Sequence, residues 1–111
     1  MKVNVRQRGN VTILDLKGKL TIGTELVFRN ALLDALNSGA TRIVINMRDV
    51  TTIDSSGIGE LVSGYTTAIN RGGQMKLAEL PPRVTDVLTI TQLITVFDVY
   101  DSEDEALRSF A

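Results

Sequence analysis

The chain contains neither histidine nor cysteine, and these two absences remove much of the usual enzymatic repertoire. Without cysteine there are no disulfides, no thiolate chemistry and no Cys-rich metal site. Without histidine there is no Ser-His-Asp triad, no His metal site and no histidine phosphocarrier. Long apolar runs are lacking too. None approaches the ~20 residues needed to span a bilayer, and Met1-Lys2-Val3-Asn4-Val5 carries no signal-peptide core. Neither sign of charge dominates: 12 Lys and Arg against 13 Asp and Glu leave a formal charge of -1. No polybasic face for nucleic acid or anionic lipid is therefore implied. The expectation is a cytoplasmic protein with no membrane and no direct nucleic-acid partner. At 111 residues and 43% hydrophobic, the sequence suits one compact domain over 1–111 with an ordinary core.

What is present is an alternation of strand-like and helix-like segments, without linkers or repeats. Val3-Asn4-Val5 reads as an edge strand and Arg8-Gly9-Asn10 as turn chemistry. Residues 11–17 read as a second strand, with Leu14 and Leu16 on one face and Val11 and Ile13 on the other, so burial on both faces is expected. Gly18-Lys19-Leu20-Thr21-Ile22-Gly23 reads as a glycine-bounded loop. Thr24 is placed to N-cap a helix over 24–37. Its Val27, Phe28, Ala31, Leu32, Ala35 and Leu36 make an inward stripe, and Ser38-Gly39 ends it.

A short, apolar, β-branched strand follows over 42–47, then a second helix over 57–70, stopped by Asn70-Arg71-Gly72-Gly73. Residues 75–80 read as a strand. Pro81-Pro82 opens a short helix with Val84, Val87 and Leu88 inward. Residues 94–99 read as a last short strand, and Ser102 caps a terminal helix with Ala106, Leu107 and Phe110 inward. The pattern predicts an α/β fold. Its sheet is mixed and mostly parallel, of four to five strands with an antiparallel N-terminal hairpin, packed with about four helices.

The segment Ile53-Asp54-Ser55-Ser56-Gly57-Ile58-Gly59 lies between the 42–47 strand and the helix whose Ile58, Leu61, Val62, Tyr65 and Ile69 recur at spacings of three and four. It offers two hydroxyls beside an acidic residue where a helix begins. Free backbone N–H groups there hold anions, and the helix dipole favours negative charge. A serine so placed can accept a phosphate at little structural cost, which points to a switch more than to a catalyst.

The strand, Asp54-Ser55-Ser56-Gly57-Ile58-Gly59, amphipathic helix, Gly72-Gly73, strand and short helix after Leu80-Pro81 together resemble a STAS domain, the sulfate-transporter and anti-sigma-factor-antagonist fold. The resemblance covers essentially the whole chain and is strongest to free-standing antagonists of bacterial anti-sigma factors. It implies partner switching. The unphosphorylated antagonist binds an anti-sigma factor that is also a serine kinase and so frees a sigma factor; the kinase phosphorylates the hydroxyl residue after the aspartate, and a serine phosphatase restores it. Carried onto this sequence, the phosphoacceptor is Ser55, with Asp54 and Ser56 shaping its loop. The partner-binding surface takes in Lys19, Thr21, Asp54, Ser55, Ser56, Gly57, Ile58 and Gly59. No cofactor and no metal are implied. One departure stands out: where many antagonists carry an aspartate after Gly-x-Leu, this sequence has Thr21 after Gly18-Lys19-Leu20.

Other readings compete at each position. Ser55 and Ser56 can simply cap a helix, and Gly57 and Gly59 can serve close strand–helix packing. Glu60 suits the dipole of a first turn. Asp49 and Asp54 read as solvated loop residues rather than a metal pair. The acidic run Asp101, Glu103, Asp104 and Glu105 reads as decoration of the terminal helix start. Two functional alternatives accompany the antagonist. One is a non-phosphorylated STAS scaffold or interaction subunit, against which the Ser55-Ser56 pair argues. The other is a small hydrolase using Asp54 or Ser55 as nucleophile, for which no spacing nominates a lysine or carboxylate base. The sequence is therefore read as a binding protein, not an enzyme.

Overall fold

A computed structural model describes residues 1–110. Its order of elements is β1 (Lys2–Arg8), β2 (Val11–Leu20), α1 (Glu25–Asn37), β3 (Arg42–Ile53), α2 (Ser55–Asn70), β4 (Gln74–Ala78), α3 (Pro82–Ile90), a 3-10 turn (Leu93–Thr95), β5 (Asp98–Tyr100) and α4 (Glu103–Arg108). The sheet runs β1-β2-β3-β4-β5 in space. β1 pairs antiparallel with β2, and every later pairing is parallel. This is the predicted α/β arrangement, with five strands and four helices.

Both faces of the sheet are covered, which is why its central strands are apolar at consecutive positions. On one face Leu14, Leu16, Ile43 and Ile45 pack with Phe28, Leu32 and Leu36 of α1, Leu61 and Ala68 of α2, and Val84 and Leu88 of α3. On the other, Val11, Ile13, Val44 and Ala78 meet Ala106 of α4, with Tyr100, Leu107 and Phe110 at the edge. The stripes predicted for α1 and α2 are narrower than their periodicity suggests. Val27 and Ile69 stand 41% and 49% exposed, because each lies at the margin of its stripe. Gly64 brings α1 and α2 together: a Cβ there would come within 2.7 Å of Leu32 Cδ2.

The largest departures from the sequence reading lie in β2, in β3 and over 94–99. β2 continues through Gly18 to Leu20 and β3 through Arg48 to Ile53, where the reading ended them at 17 and 47. Two register shifts, between Asp15 and Lys17 and between Gly18 and Lys19, allow this. Each inserts an extra residue on β3, so Val50 and Ile53 return to the core while Arg48, Asp49 and Thr51 face solvent. The proposed loop at Gly18 is thus half strand, and Asp49 is a strand residue. The 94–99 strand is replaced by the 3-10 turn followed by β5. Its apolar Ile94 and Phe97 pack on the core from the turn instead, and the Phe97 ring meets Tyr65 of α2 edge-on at 5.5 Å.

The acidic run at α4 is more than decoration. Ser102 caps the helix as expected, its Oγ accepting from the Glu105 N–H. Glu103, however, is buried and ties α4 to β1, to β3 and to Glu79 just beyond β4. Its carboxylate accepts from Arg6 Nη2 at 2.5 Å, Arg8 Nη1 at 2.8 Å and Asn46 Nδ2 at 3.0 Å, and its own N–H donates to Glu79 Oε2. Burial alone would raise the Glu103 pKa, but the hydrogen bonds from Arg6, Arg8 and Asn46 outweigh it and hold the carboxyl at about 2. Asp104 pairs with Arg8, while Asp101 and Glu105 face solvent.

Candidate functional site

The register shifts place the ends of β2 and β3 side by side, with Leu20 opposite Ile53. Immediately beyond, Asp54 adopts an extended conformation (φ -121°, ψ -173°) and becomes the N-cap of α2. Its short acidic side chain suits that position, because helix-start N–H groups lack intrahelical acceptors. Asp54 Oδ1 accepts from the Gly57 N–H and Oδ2 from the Ile22 N–H, each at 3.0 Å. Those two bonds, Ile22 first and Gly57 second, lower the Asp54 pKa from the ordinary aspartate value. One carboxylate therefore joins the start of α2 to the loop between β2 and α1.

That loop closes on itself. The Thr24 N–H donates to the Thr21 carbonyl, the Thr21 N–H donates to Thr24 Oγ1, and Thr24 Oγ1 donates to the Lys19 carbonyl at 2.7 Å. Thr24 stands at the N-cap of α1 as predicted, but its hydroxyl makes no cap bond and fastens the loop instead. The result holds Lys19 and Ile22 on the outside, with Ile22 76% exposed and Leu26 of α1 54% exposed.

Each residue singled out in the sequence has a distinct surrounding. Ser55 is the first residue of α2 and is exposed; Ser56 is half-buried. Neither is the cap, because Asp54 has taken that role. Gly57 packs tightly: a Cβ there would lie 2.0 Å from the Leu20 carbonyl oxygen. Gly59 is exposed and a Cβ there would meet nothing, so close packing explains Gly57 and not Gly59. Ile58 is half-buried against the core, and Thr21 is half-buried in the loop. Glu60 does not merely complement the dipole. It is buried, and its carboxylate accepts from Arg29 Nε at 2.9 Å and from Arg29 Nη2, clasping α2 to α1.

The sequence reading counted the Gly18–Gly23 loop beside Ser55 as docking surface but did not single out Ile22, which is exposed and whose N–H reaches Asp54. A signal for Ile22 existed, since it is an isoleucine in a glycine-bounded loop outside any periodic stripe. Among the described residues no group of three or more His, Cys, Asp or Glu converges in a way that could hold a metal ion. No helix among them is long and apolar enough to cross a membrane.

Comparison with known proteins bears on this geometry. The family model for the STAS domain matches residues 2–106. An anti-sigma F factor antagonist from Paenibacillus polymyxa is 26% identical over 96% of this chain and 92% of its own length. An anti-sigma-B factor antagonist from Bacillus subtilis strain 168 is 28% identical over 89% of this chain and 90% of its own. A crystal structure of a Thermotoga maritima protein superposes with a TM-score of 0.89 at 28% identity, covering 96% of this chain and 92% of that one.

Proposed function

The chain belongs to the STAS domain family, and from that membership we propose that it is an anti-sigma factor antagonist switched by phosphorylation of Ser55. In this reading the unphosphorylated protein binds a kinase-type anti-sigma factor and frees a sigma factor. The Ser55 hydroxyl oxygen then attacks the γ-phosphorus of ATP held by the kinase. An O–P bond forms, the bond to the β–γ bridging oxygen breaks, ADP leaves, and the hydroxyl proton passes to a base on the kinase. A serine phosphatase returns the hydroxyl by hydrolysis. The protein itself binds and is modified; it does not catalyse.

The observation that carries this reading is the division of labour at the start of α2. Asp54 holds the cap, which leaves Ser55 exposed in the first turn with no capping duty. Support comes also from the antagonists named among the relatives. Phosphate on Ser55 would add about -1.5 to -2 charges to the docking face. A desolvated like-charge contact costs several kcal/mol, and ~1.4 kcal/mol already changes affinity tenfold. Local charge is therefore sufficient to separate the partners.

With the cognate kinase and ATP, intact-mass measurement should find one phosphate on the unaltered chain and on Ser56→Ala, and none on Ser55→Ala. Ser55→Ala should still bind the anti-sigma factor, and Ser55→Asp should bind poorly. Phosphate mapped to Ser56, or undiminished binding by fully phosphorylated protein, sinks the switch. Thr21, where many antagonists carry an aspartate, favours the second reading, a constitutive STAS interaction subunit. Such a subunit would bind its partner identically with Ser55 intact or replaced.

A further inference from the structure

We infer that the Asp54 carboxylate is a latch between the first turn of α2 and the loop after β2, and that phosphate on Ser55 opens it and frees the Ile22 loop. The inference rests on the reading of Ser55 as phosphoacceptor and extends it, because modification then withdraws a contact as well as adding charge.

Asp54 uses both of its oxygens in the unmodified protein, one on the first turn of α2 and one on the loop after β2, each at 3.0 Å. The Ile22 side chain is 76% exposed, so packing does little to hold that residue in place. The loop's internal bonds run among Lys19, Thr21 and Thr24 and leave Ile22 itself outside them. The backbone link from Asp54 N–H to the Leu20 carbonyl is long, at 3.4 Å. The Ile22 N–H to Asp54 bond is therefore the short tie from the tip of this loop to α2.

A phosphate on Ser55 acts on that tie in two ways. It is a dianionic neighbour in sequence to a carboxylate that its hydrogen bonds keep ionised at neutral pH. It also brings three acceptor oxygens to the first turn of α2, where Asp54 now holds the Gly57 N–H. Repulsion and competition for the same amide both favour outward rotation of Asp54. That rotation surrenders the Ile22 N–H to water, and the position of Ile22, the most exposed apolar residue beside Ser55, is no longer fixed. A partner that docks on Ile22 and Leu26 then meets an unmoored anchor. Asp54 acts here as a positioning residue, through Ile22.

Amide hydrogen exchange on the full chain tests the latch without the kinase, using phosphoserine incorporated at position 55 during translation. Exchange at Ile22 should accelerate about tenfold or more, while amides deep in α2, such as Leu61, keep their protection. Asp54→Ala removes both acceptor oxygens and should reproduce the Ile22 acceleration without any phosphate. Unchanged Ile22 exchange in the phosphoserine protein overturns the latch. If that protein also binds the anti-sigma factor weakly, the switch acts by charge alone and the proposed function stands. Tight binding by the phosphoserine protein, with Ile22 exchange accelerated, overturns the proposed function and leaves the latch standing.

Discussion

Gly57 and Gly59 lie two positions apart in α2, and a substitution at each should move stability in opposite directions. At Gly57 the absent Cβ is replaced by the Leu20 carbonyl oxygen, 2.0 Å from where a Cβ would stand. That neighbour is backbone at the end of a strand whose partner is β3, so relief requires moving α2 or β2. Gly57→Ala should therefore cost about 1–3 kcal/mol or more of unfolding free energy. Gly59 faces open space inside a helix, where glycine is weaker than alanine by roughly 0.5–1 kcal/mol. Gly59→Ala should stabilise the fold by up to that amount. Urea unfolding of both variants checks the pair, and equal losses would refute the assignment. The same contrast shows what a sequence conceals at this scale. G-x-G reads as one motif, but one glycine is demanded by a carbonyl 37 positions earlier in the chain and the other by nothing in the fold. The role of Asp54 was hidden similarly, since half of its hydrogen bonding goes to the Ile22 N–H across 32 positions.

Among the elements, α4 shows how a short helix can be held by ions at one end and a buried cation at the other. Glu103 binds its N-terminal turn to Arg6 and Arg8 of β1 and Asn46 of β3. Near its C-terminal end, buried Lys76 of β4 donates to Ser109 Oγ at 2.6 Å, with its Nζ 4.3 Å from the Phe110 ring centroid. The Glu103 carboxyl titrates at about 2 in the folded protein, against an ordinary value of 4.5. Its folded pKa is depressed, so its contribution is fully present above the unfolded value and is lost as pH falls from about 5 toward 2. Asp54 is depressed too and adds to the same loss. Glu103→Gln should lower stability by about 2–3 kcal/mol at neutral pH and flatten the fall of stability between pH 5 and pH 2. Thermal unfolding across that range measures both, and an unchanged acid slope would show that Glu103 is not ionised in the fold. The helices and central strands were legible from periodicity because one face of each is apolar. The length of β3 was not, because one extra residue between Asn46 and Asp49 and a second at Thr51 each break the alternation, which leaves Val50 and Ile53 inward three positions apart. Burial of Glu103 was not legible either, since its partners arrive from β1 and β3.

At the scale of the whole molecule, the Ser55 loop and the Glu103 network lie at different places on the sheet, one at the strand ends and one under α4. The Ser55 loop and the Lys19–Thr21–Ile22 loop both follow the carboxyl ends of parallel strands, β3 and β2, where ligands of α/β sheets gather. The α4 side is occupied by the Glu103 network and has no part in that edge. This separation allows a test of the docking surface that does not depend on phosphorylation. Lys19 is exposed beside the Ser55 face, whereas Arg108 and Glu105 are exposed on α4. Rim charges act mainly on encounter rate and on salt dependence, and little on the fold. Lys19→Glu should therefore weaken binding to the anti-sigma factor by about three- to tenfold at low salt, less at 0.5 M salt where the Debye length shrinks to roughly 4 Å. Arg108→Glu and Glu105→Lys should leave affinity within about twofold, as expected for surface changes away from an interface. Glu103 is unsuitable as a control, because changing it loosens α4 and confounds binding with stability. Titration of the three variants against one partner preparation ranks the surfaces directly. If Arg108→Glu weakens binding while Lys19→Glu does not, the partner docks on the α4 side, and the Ser55 loop lies at the wrong place to act as its switch.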